Sequence, residues 1–227
     1  MSCAQATNPA EVPQQMTDVA LFPIPGAVSF PGVPRTLHVF EPRYRQMVKH
    51  CIDHSLPIGV CHTRKVIRAS EPSQSREQAL NNNQSTYQPE QVLAAGPVEL
   101  LQQLEDGRML IRVSPNQRMQ IEEEKQTLPF SIWSCRDMPD QTIAQSQRET
   151  LQQSKAKILQ RLLIIGHDYP EIKSALTGEY WQQMPPEEFS FAVTGMMSMP
   201  PEMAQALLEQ TDPQQRLDDI LDMINGI

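Results

Sequence analysis

Cysteine is scarce and scattered in this chain. Cys3, Cys51, Cys61 and Cys135 are the only four, and no two stand at C-x-x-C spacing. That excludes the local signatures of a zinc ribbon and of a thioredoxin-type redox pair. No apolar run approaches the roughly 18 residues that a bilayer-spanning helix needs. The opening MSCAQATNPAEVPQQMTD lacks the basic start and apolar centre of a secretory signal. The expectation is a cytoplasmic protein with reduced thiols, no membrane association, and residues 1–17 as a flexible tail. Basic charge is short as well: 19 Lys and Arg stand against 27 Asp and Glu, for a net charge of -8. Without clustered cations to neutralise phosphates, DNA is excluded as a partner and RNA is disfavoured. The small group Arg43, Arg45 and Lys49 reads as a solvated helix face.

The signatures of catalysis are missing too. There is no G-x-x-x-x-G-K-[ST] phosphate loop, no G-x-S-x-G elbow and no H-E-x-x-H. His50 and His54 stand four apart on a predicted helix, a spacing that could aim two imidazoles at one metal. Neither a Glu base nor a third ligand stands near them, so they read as helix-surface histidines. His38, His62 and His167 are isolated. The acidic runs Glu122–Glu124 and Asp218, Asp219 and Asp222 read as solvated faces rather than acid–base pairs. The expectation is therefore no enzyme, no catalytic residue, no cofactor and no metal site.

What the chain does have is proline, 20 of them, set among apolar residues. In LFPIPGAVSFPGVPRTLHVFEPRYRQMV, Pro23, Pro25, Pro31 and Pro34 fall where strands would be expected. Proline cannot donate to a ladder, so Leu21 to Pro34 should wrap a barrel as an irregular strip that still sends Leu21, Phe22, Ile24, Val28 and Phe30 into the core. Pro42 fits the first turn of a helix, and Tyr44, Met47, Val48, Cys51 and Ile52 then share one face. Short strand-like runs follow: TLHVF, PIGVCH, VLAAGPVELLQQL, RMLIRV, RMQIEEE and FSIWSC. EDGR at 105–108 predicts the hairpin turn between the third and fourth of these. The polar stretch 68–90 reads as a long surface loop.

From about Thr142 the period changes to helical. Leu151, Ile158, Leu159, Leu162 and Ile165 form one stripe, and further helices are predicted near 170–180, 186–197 and 200–210. The last helix is bounded by Asp212 as cap, Pro213 at its first position, Gln215 completing a box-like pattern and Gly226 closing it. Its buried face is Leu217, Ile220, Leu221 and Ile224. Trp133 and Trp181 read as core or interface anchors. TGMMSMPPEM gathers Met196, Met197, Met199 and Met203. Flexible, polarisable methionines either fill gaps between helices or accept varied apolar partners.

In this order the segments resemble the Lon N-terminal domain family, the substrate-recognition region of the ATP-dependent protease Lon. The resemblance rests on Phe30-Pro31-Gly32, on the Leu37 to Phe40 strand, and on Glu41-Pro42-Arg43-Tyr44. A second match is AAGPVELLQQLEDGRMLIRVSPNQRMQIEE, with Gly96-Pro97 where the family has Gly-Thr and Ser114 to Gln117 where a Gly is usual. The resemblance spans about 18–225. It implies an α+β fold: a β-rich PUA-like pseudo-barrel over 18–140 and a helical bundle over 141–227. It also implies a non-catalytic module that binds unfolded or exposed apolar protein segments. Full Lon proteases continue into ATPase and peptidase modules, and the expectation at Ile227 is a chain with neither. The signature residues are expected to fix the strand-to-helix corner, with Glu41 favoured by the helix dipole, Arg43 paired to a carboxylate and Tyr44 packed on Phe40. Met196, Met197 and Met199 are candidate protein-binding residues. Alternatives are an adaptor that docks on a protease or another dedicated protein, and a small-molecule or RNA module of PUA-like type.

Overall fold

The computed structural model describes residues 16–68 and 86–226. Most of the expected tail, and residues 69–85 of the expected loop, lie outside the described residues; Met16 and Thr17 already belong to the first strand. The strands are β1 (Met16–Pro23), β2 (Arg35–Val39), β3 (Ile58–Cys61), β4 (Thr63–Arg68), β5 (Thr86–Pro89), β6 (Val92–Gly96), β7 (Val98–Gln103), β8 (Met109–Val113), β9 (Gln117–Gln126) and β10 (Ile132–Asp137). Between β2 and β3 runs helix α1 (Pro42–His54). Then come a 3-10 turn at Gln145–Gln147 and helices α2 (Arg148–Ile165), α3 (Pro170–Thr177), α4 (Glu179–Gln183), α5 (Pro186–Ala192), α6 (Pro201–Glu209) and α7 (Pro213–Asn225). A 3-10 segment, Val193–Met196, follows α5 directly. Among the described residues no helix is long and apolar enough to cross a membrane.

Strands β1, β10, β9, β6 and β3 close a barrel in that order, antiparallel except where β1 lies parallel to β3. The interior takes side chains from every strand: Val19 and Leu21, Cys61, Leu93 and Ala95, Met119 and Ile121, and Cys135. The alternate residues point outward and are covered as well. Ala20, Phe22, Ile58 and Val60 meet α1 and strand β8, while Val92 and Ala94 meet the helical half. A strand covered on both faces reads as an unbroken apolar run, which is why VALF and VLAA do not alternate.

A separate sheet, β2-β8-β7, stands beside the barrel. Its β7–β8 turn is the expected Asp106-Gly107, with Gly107 at φ +82° and the Gly107 N–H donating to the Leu104 carbonyl at 2.9 Å. The edges of the stretch expected to be a loop are instead strand: β5 pairs with β4, Tyr87 opposite Val66. Thr and Tyr are good strand formers, and their polar neighbours obscured them in the sequence.

The prolines of the strip have specific posts. Pro23 ends β1 opposite Cys61. Pro25-Gly26 and Pro31-Gly32 each form a tight turn, with Gly26 and Gly32 both at φ +77°. The Ala27 N–H donates to Ile24 O at 3.0 Å, and the Val33 N–H to Phe30 O at 3.2 Å. Proline second and a positive-φ residue third is the type II pattern. The strip is thus two Pro-Gly turns in series. Leu21, Phe22, Val28 and Phe30 are buried, and Ile24 is partly so.

Two helix faces differ from expectation. On α1, Tyr44, Met47, Val48 and Cys51 are buried but Ile52 is 41% exposed; at 100° per residue it lies past the edge of the stripe. On α2, Leu151, Ile158 and Leu159 pack against Leu217, Ile220 and Ile224 of α7, but Ile165 is exposed because the last turn of α2 runs beyond that contact. Helix α7 opens as expected on Asp212, whose carboxylate accepts the Gln214 N–H at 2.9 Å. The reciprocal bond differs. Gln215 turns to Asp219, and the Asp212 N–H is instead taken by the Gln210 side chain at 3.1 Å. Gly226 ends the helix without entering the left-handed region.

Candidate binding cleft

The barrel and the helices are joined by buried charge. Arg118, on β9, points out of the barrel into the helical half and is 6% exposed. Its Nε donates to Met138 O at 2.8 Å, its Nη1 to Leu208 O at 3.0 Å and Gln210 O at 2.6 Å, and its Nη2 to Asp140 at 2.8 Å. Arg216, on α7, is fully buried. It grips both Asp140 oxygens, at 2.9 and 2.6 Å, and donates its Nε to Ser190 Oγ at 2.7 Å. Its guanidinium carbon stands 3.7 Å from the centre of the Phe191 ring. Every nitrogen of both guanidiniums is therefore spent on a protein acceptor. Burial pulls Arg118 below the ordinary guanidinium range, and Asp140 opposes that pull. Arg118 falls within the second family match, at Gln117-Arg118-Met119, but that match assigns it no role. Arg216 did carry a signal, since it stands four before Ile220 and so lies on the buried stripe of α7.

Over this joint opens a cleft of about 560 Å³. Its floor and walls are mostly apolar, formed by Pro31, Pro115, Met138, Met184 and Phe191, with Tyr180 62% exposed at the mouth. Lys155, itself buried on α2, fixes one wall by donating to Gln182 O at 3.0 Å and Met184 O at 2.6 Å. Burial lowers the pKa of this amine. Asp137, Glu187 and Glu188 also line the cleft. Glu187 and Glu188 occupy the first turn of α5, where the helix dipole favours acids. Glu187 has one oxygen 3.5 Å from Arg148. Its other oxygen, Oε2, and Oδ1 of Asp137 are both shut away from solvent with no hydrogen-bond partner.

The signature residues fall in two places. Phe30-Pro31-Gly32 is a partition: Pro31 and Gly32 line the cleft, while Phe30 lines a second groove of about 340 Å³. The Gly32 N–H anchors the partition to Pro115 O at 2.8 Å. Glu41-Pro42-Arg43-Tyr44 lies away from both, at the start of α1. Glu41 is the residue before the helix, yet its side chain makes no capping bond; its carboxylate pairs with Arg43 at 2.9 Å. Arg43 lies 4.6 Å over the Tyr44 ring. Tyr44 packs on Phe22, with ring centres 4.2 Å apart, and not on Phe40, which is 37% exposed. Phe40 follows β2 and turns outward, whereas Phe22 faces α1 from the barrel.

Met197 and Met199 line the second groove with Val33 and Arg35, and both also pack on the helical core. Met196 is outside it and 41% exposed. The Arg35 guanidinium donates to Val28 O at 2.7 Å, and burial lowers its pKa.

His50 and His54 stack on each other at 4.2 Å, with His54 Nδ1 donating to the His50 carbonyl at 2.9 Å. Among the described residues no group of three or more His, Cys, Asp and Glu could hold a metal ion. His62 is a structural acceptor, taking the Gly26 N–H on Nδ1 at 2.9 Å. Trp133 packs at the barrel interior, and Trp181 meets Phe189 edge-on at 5.7 Å. Cys51, Cys61 and Cys135 are buried free thiols.

Comparison with solved structures finds the same fold in Lon N-terminal domains. The N-terminal domain of the Mycobacterium avium complex Lon protease superposes with a TM-score of 0.64 at 13% identity, covering 92% of this chain and 98% of that one. A Lon N-terminal domain protein from Xanthomonas campestris gives 0.57 at 18% identity, covering 91% and 98%. No curated protein matches. The family model of the ATP-dependent protease La (LON) substrate-binding domain matches residues 18–226. The architecture and that match agree, and the chain belongs to the Lon substrate-binding domain family.

Proposed function

We propose that this domain binds unfolded or exposed apolar segments of other proteins in the cleft at the junction of barrel and helices, and that it does no chemistry of its own. The observation that carries this reading is the cleft itself: an apolar-lined space of about 560 Å³, walled by β-half residues Pro31 and Met138 and by helical-half residues Met184 and Phe191. A space of that size takes several side chains of an extended segment, and apolar walls with a few placed polar groups suit such a ligand. Apolar side chains leaving water there contribute about 25 cal/mol per Å² buried. Membership of a substrate-binding family supports the reading. Met197 and Met199, in the neighbouring groove, offer a second adaptable apolar contact across the Phe30 partition.

The test is fluorescence anisotropy of a labelled, permanently unfolded protein titrated with this domain, with its native counterpart alongside. Saturable binding of the unfolded form alone is the expected result. Binding of neither form at high micromolar concentration would overturn the reading.

A further inference from the structure

The cleft is apolar, but it is not neutral. Asp137, Glu187 and Glu188 line it, and so does Asp140. Asp140 is committed to Arg118 and Arg216. Arg118, which also lines the cleft, and Arg216 behind it are largely committed, since every nitrogen of both already meets a protein acceptor. Of the other cations near the wall, Lys155 donates to Gln182 O and Met184 O, and Arg148 touches one oxygen of Glu187 at 3.5 Å and is 55% exposed. The charged lining is therefore four carboxylates, Asp137, Asp140, Glu187 and Glu188, against the single guanidinium of Arg118.

Two of those acceptors are already desolvated. Asp137 Oδ1 and Glu187 Oε2 are closed to solvent and bonded to nothing among the described residues. A buried acceptor left without a donor costs about 1–3 kcal/mol. A donor-bearing ligand that draws either carboxylate round into the cleft removes that cost, whereas an anionic ligand adds to it. A metal ion is a poor occupant, since no group of three ligating side chains is assembled among the described residues. Tyr180, at the mouth, offers an exposed ring on which a cation can rest. A lysine or arginine stem, meanwhile, is apolar enough to lie along Pro31, Met138 and Met184.

We infer that the cleft selects, among apolar segments of unfolded proteins, those that carry a lysine or arginine side chain, which it seats between Asp137 and the Glu187–Glu188 turn. This rests on the binding reading above and adds a charge preference to it. The chain's net charge of -8 favours the encounter with such segments.

The experiment uses three labelled peptides of one length with the same apolar flanks and a central Lys, Gln or Glu, titrated by anisotropy into the full chain. The Lys peptide is expected to bind roughly tenfold more tightly than the Gln peptide, the equivalent of one charge-assisted hydrogen bond. The Glu peptide is expected to be weakest. Raising the salt should narrow the Lys advantage and leave Gln binding in place. The variant Asp137→Asn with Glu188→Gln, checked for native folding, should lose the preference for Lys over Gln. Equal binding of Lys and Gln peptides, or a preference that survives in the double variant, overturns the charge selection while leaving apolar binding intact. If no peptide binds and the unfolded protein does not either, the reading beneath it falls as well.

Discussion

Arg216 holds Asp140 with two parallel hydrogen bonds, Nη1 to Oδ1 at 2.9 Å and Nη2 to Oδ2 at 2.6 Å, across the seam between the last helix and the strand half. The same Oδ1 also receives Arg118 at 2.8 Å. One carboxylate thus tethers two guanidiniums that would otherwise repel.

Removing that carboxylate should be severe. In Asp140→Asn two buried cations lose their shared counterion, and breaking a buried pair from one side typically costs about 3–5 kcal/mol. Urea denaturation followed by circular dichroism should show a midpoint lowered to match. A change below about 1 kcal/mol would mean that the carbonyls of Met138, Leu208 and Gln210 hold the arginines unaided.

Gly96 and Gly32 should respond differently to alanine. At Gly96 a Cβ would collide with the Ser114 carbonyl and sit 2.8 Å from the Pro115 Cα. Both obstacles are backbone, so Gly96→Ala should cost about 3 kcal/mol, the upper end of overpacking. At Gly32 a Cβ meets nothing within 4 Å, and only the positive φ penalises it. Gly32→Ala should therefore cost about 1 kcal/mol. Thermal melts of the two variants test the ranking.

The corner at α1 depends on Arg43 more than on a helix cap. Glu41 and Arg43 pair with side chains only 11% and 12% exposed, and Arg43 also covers the Tyr44 ring. Arg43→Ala should cost about 2 kcal/mol or more by leaving a half-desolvated carboxylate. Glu41→Gln should cost less, because the Gln oxygen can still accept from Arg43 and the Tyr44 ring still lies under the cation. Equal losses in chemical denaturation would contradict this account.

The buried thiols predict an alkaline weakness. Burial pushes Cys51 and Cys135 up to about 12. Burial, and next the charge of Cys135, pushes Cys61 up as well. The folded state thus keeps protons that the unfolded chain releases near pH ~8.5. The stability from this source is fully present below that pH and is lost as pH rises toward 12, at up to about 1.4 kcal/mol per pH unit for each thiol. Lys155, with its pKa lowered by burial, works in the opposite direction. Urea midpoints should nonetheless decline above about pH 9, and Cys51→Ala should flatten the decline although it lowers stability at neutral pH. A slope unchanged in Cys51→Ala would refute the assignment for that thiol.

The sequence revealed features whose cause is local. Asp106-Gly107 is a turn because glycine alone takes that φ without strain, and Asp212-Pro213 opens a helix because a carboxylate and a missing N–H suit its first turn. Strand positions were readable from β-branched and aromatic runs. The cleft was not, because its makers are far apart in the chain: Pro31, Met138 and Met184 meet only once the halves dock. The family pattern includes Arg118 but not its role, since an alternating strand shows only that a side chain leaves the barrel, not what lies outside. Proximity in sequence points Tyr44 to Phe40, while its partner Phe22 is brought in by the barrel.

The pairing of β1 with both β3 and β10 bears on how the chain acquires its shape. Met16 meets Arg136 at one edge and Ala20 meets Ile58 at the other. The earliest described strand therefore waits for the last one before its backbone bonds are complete. Pairings this distant in sequence must close a long loop first, so folding should be slow for the size of the domain. During synthesis the apolar VALF segment stays exposed until β10 has left the ribosome. Truncations that remove β10 should aggregate rather than fold. A domain proposed to receive unfolded segments must itself pass through such a state, with its own VALF strand resembling a client until the barrel closes.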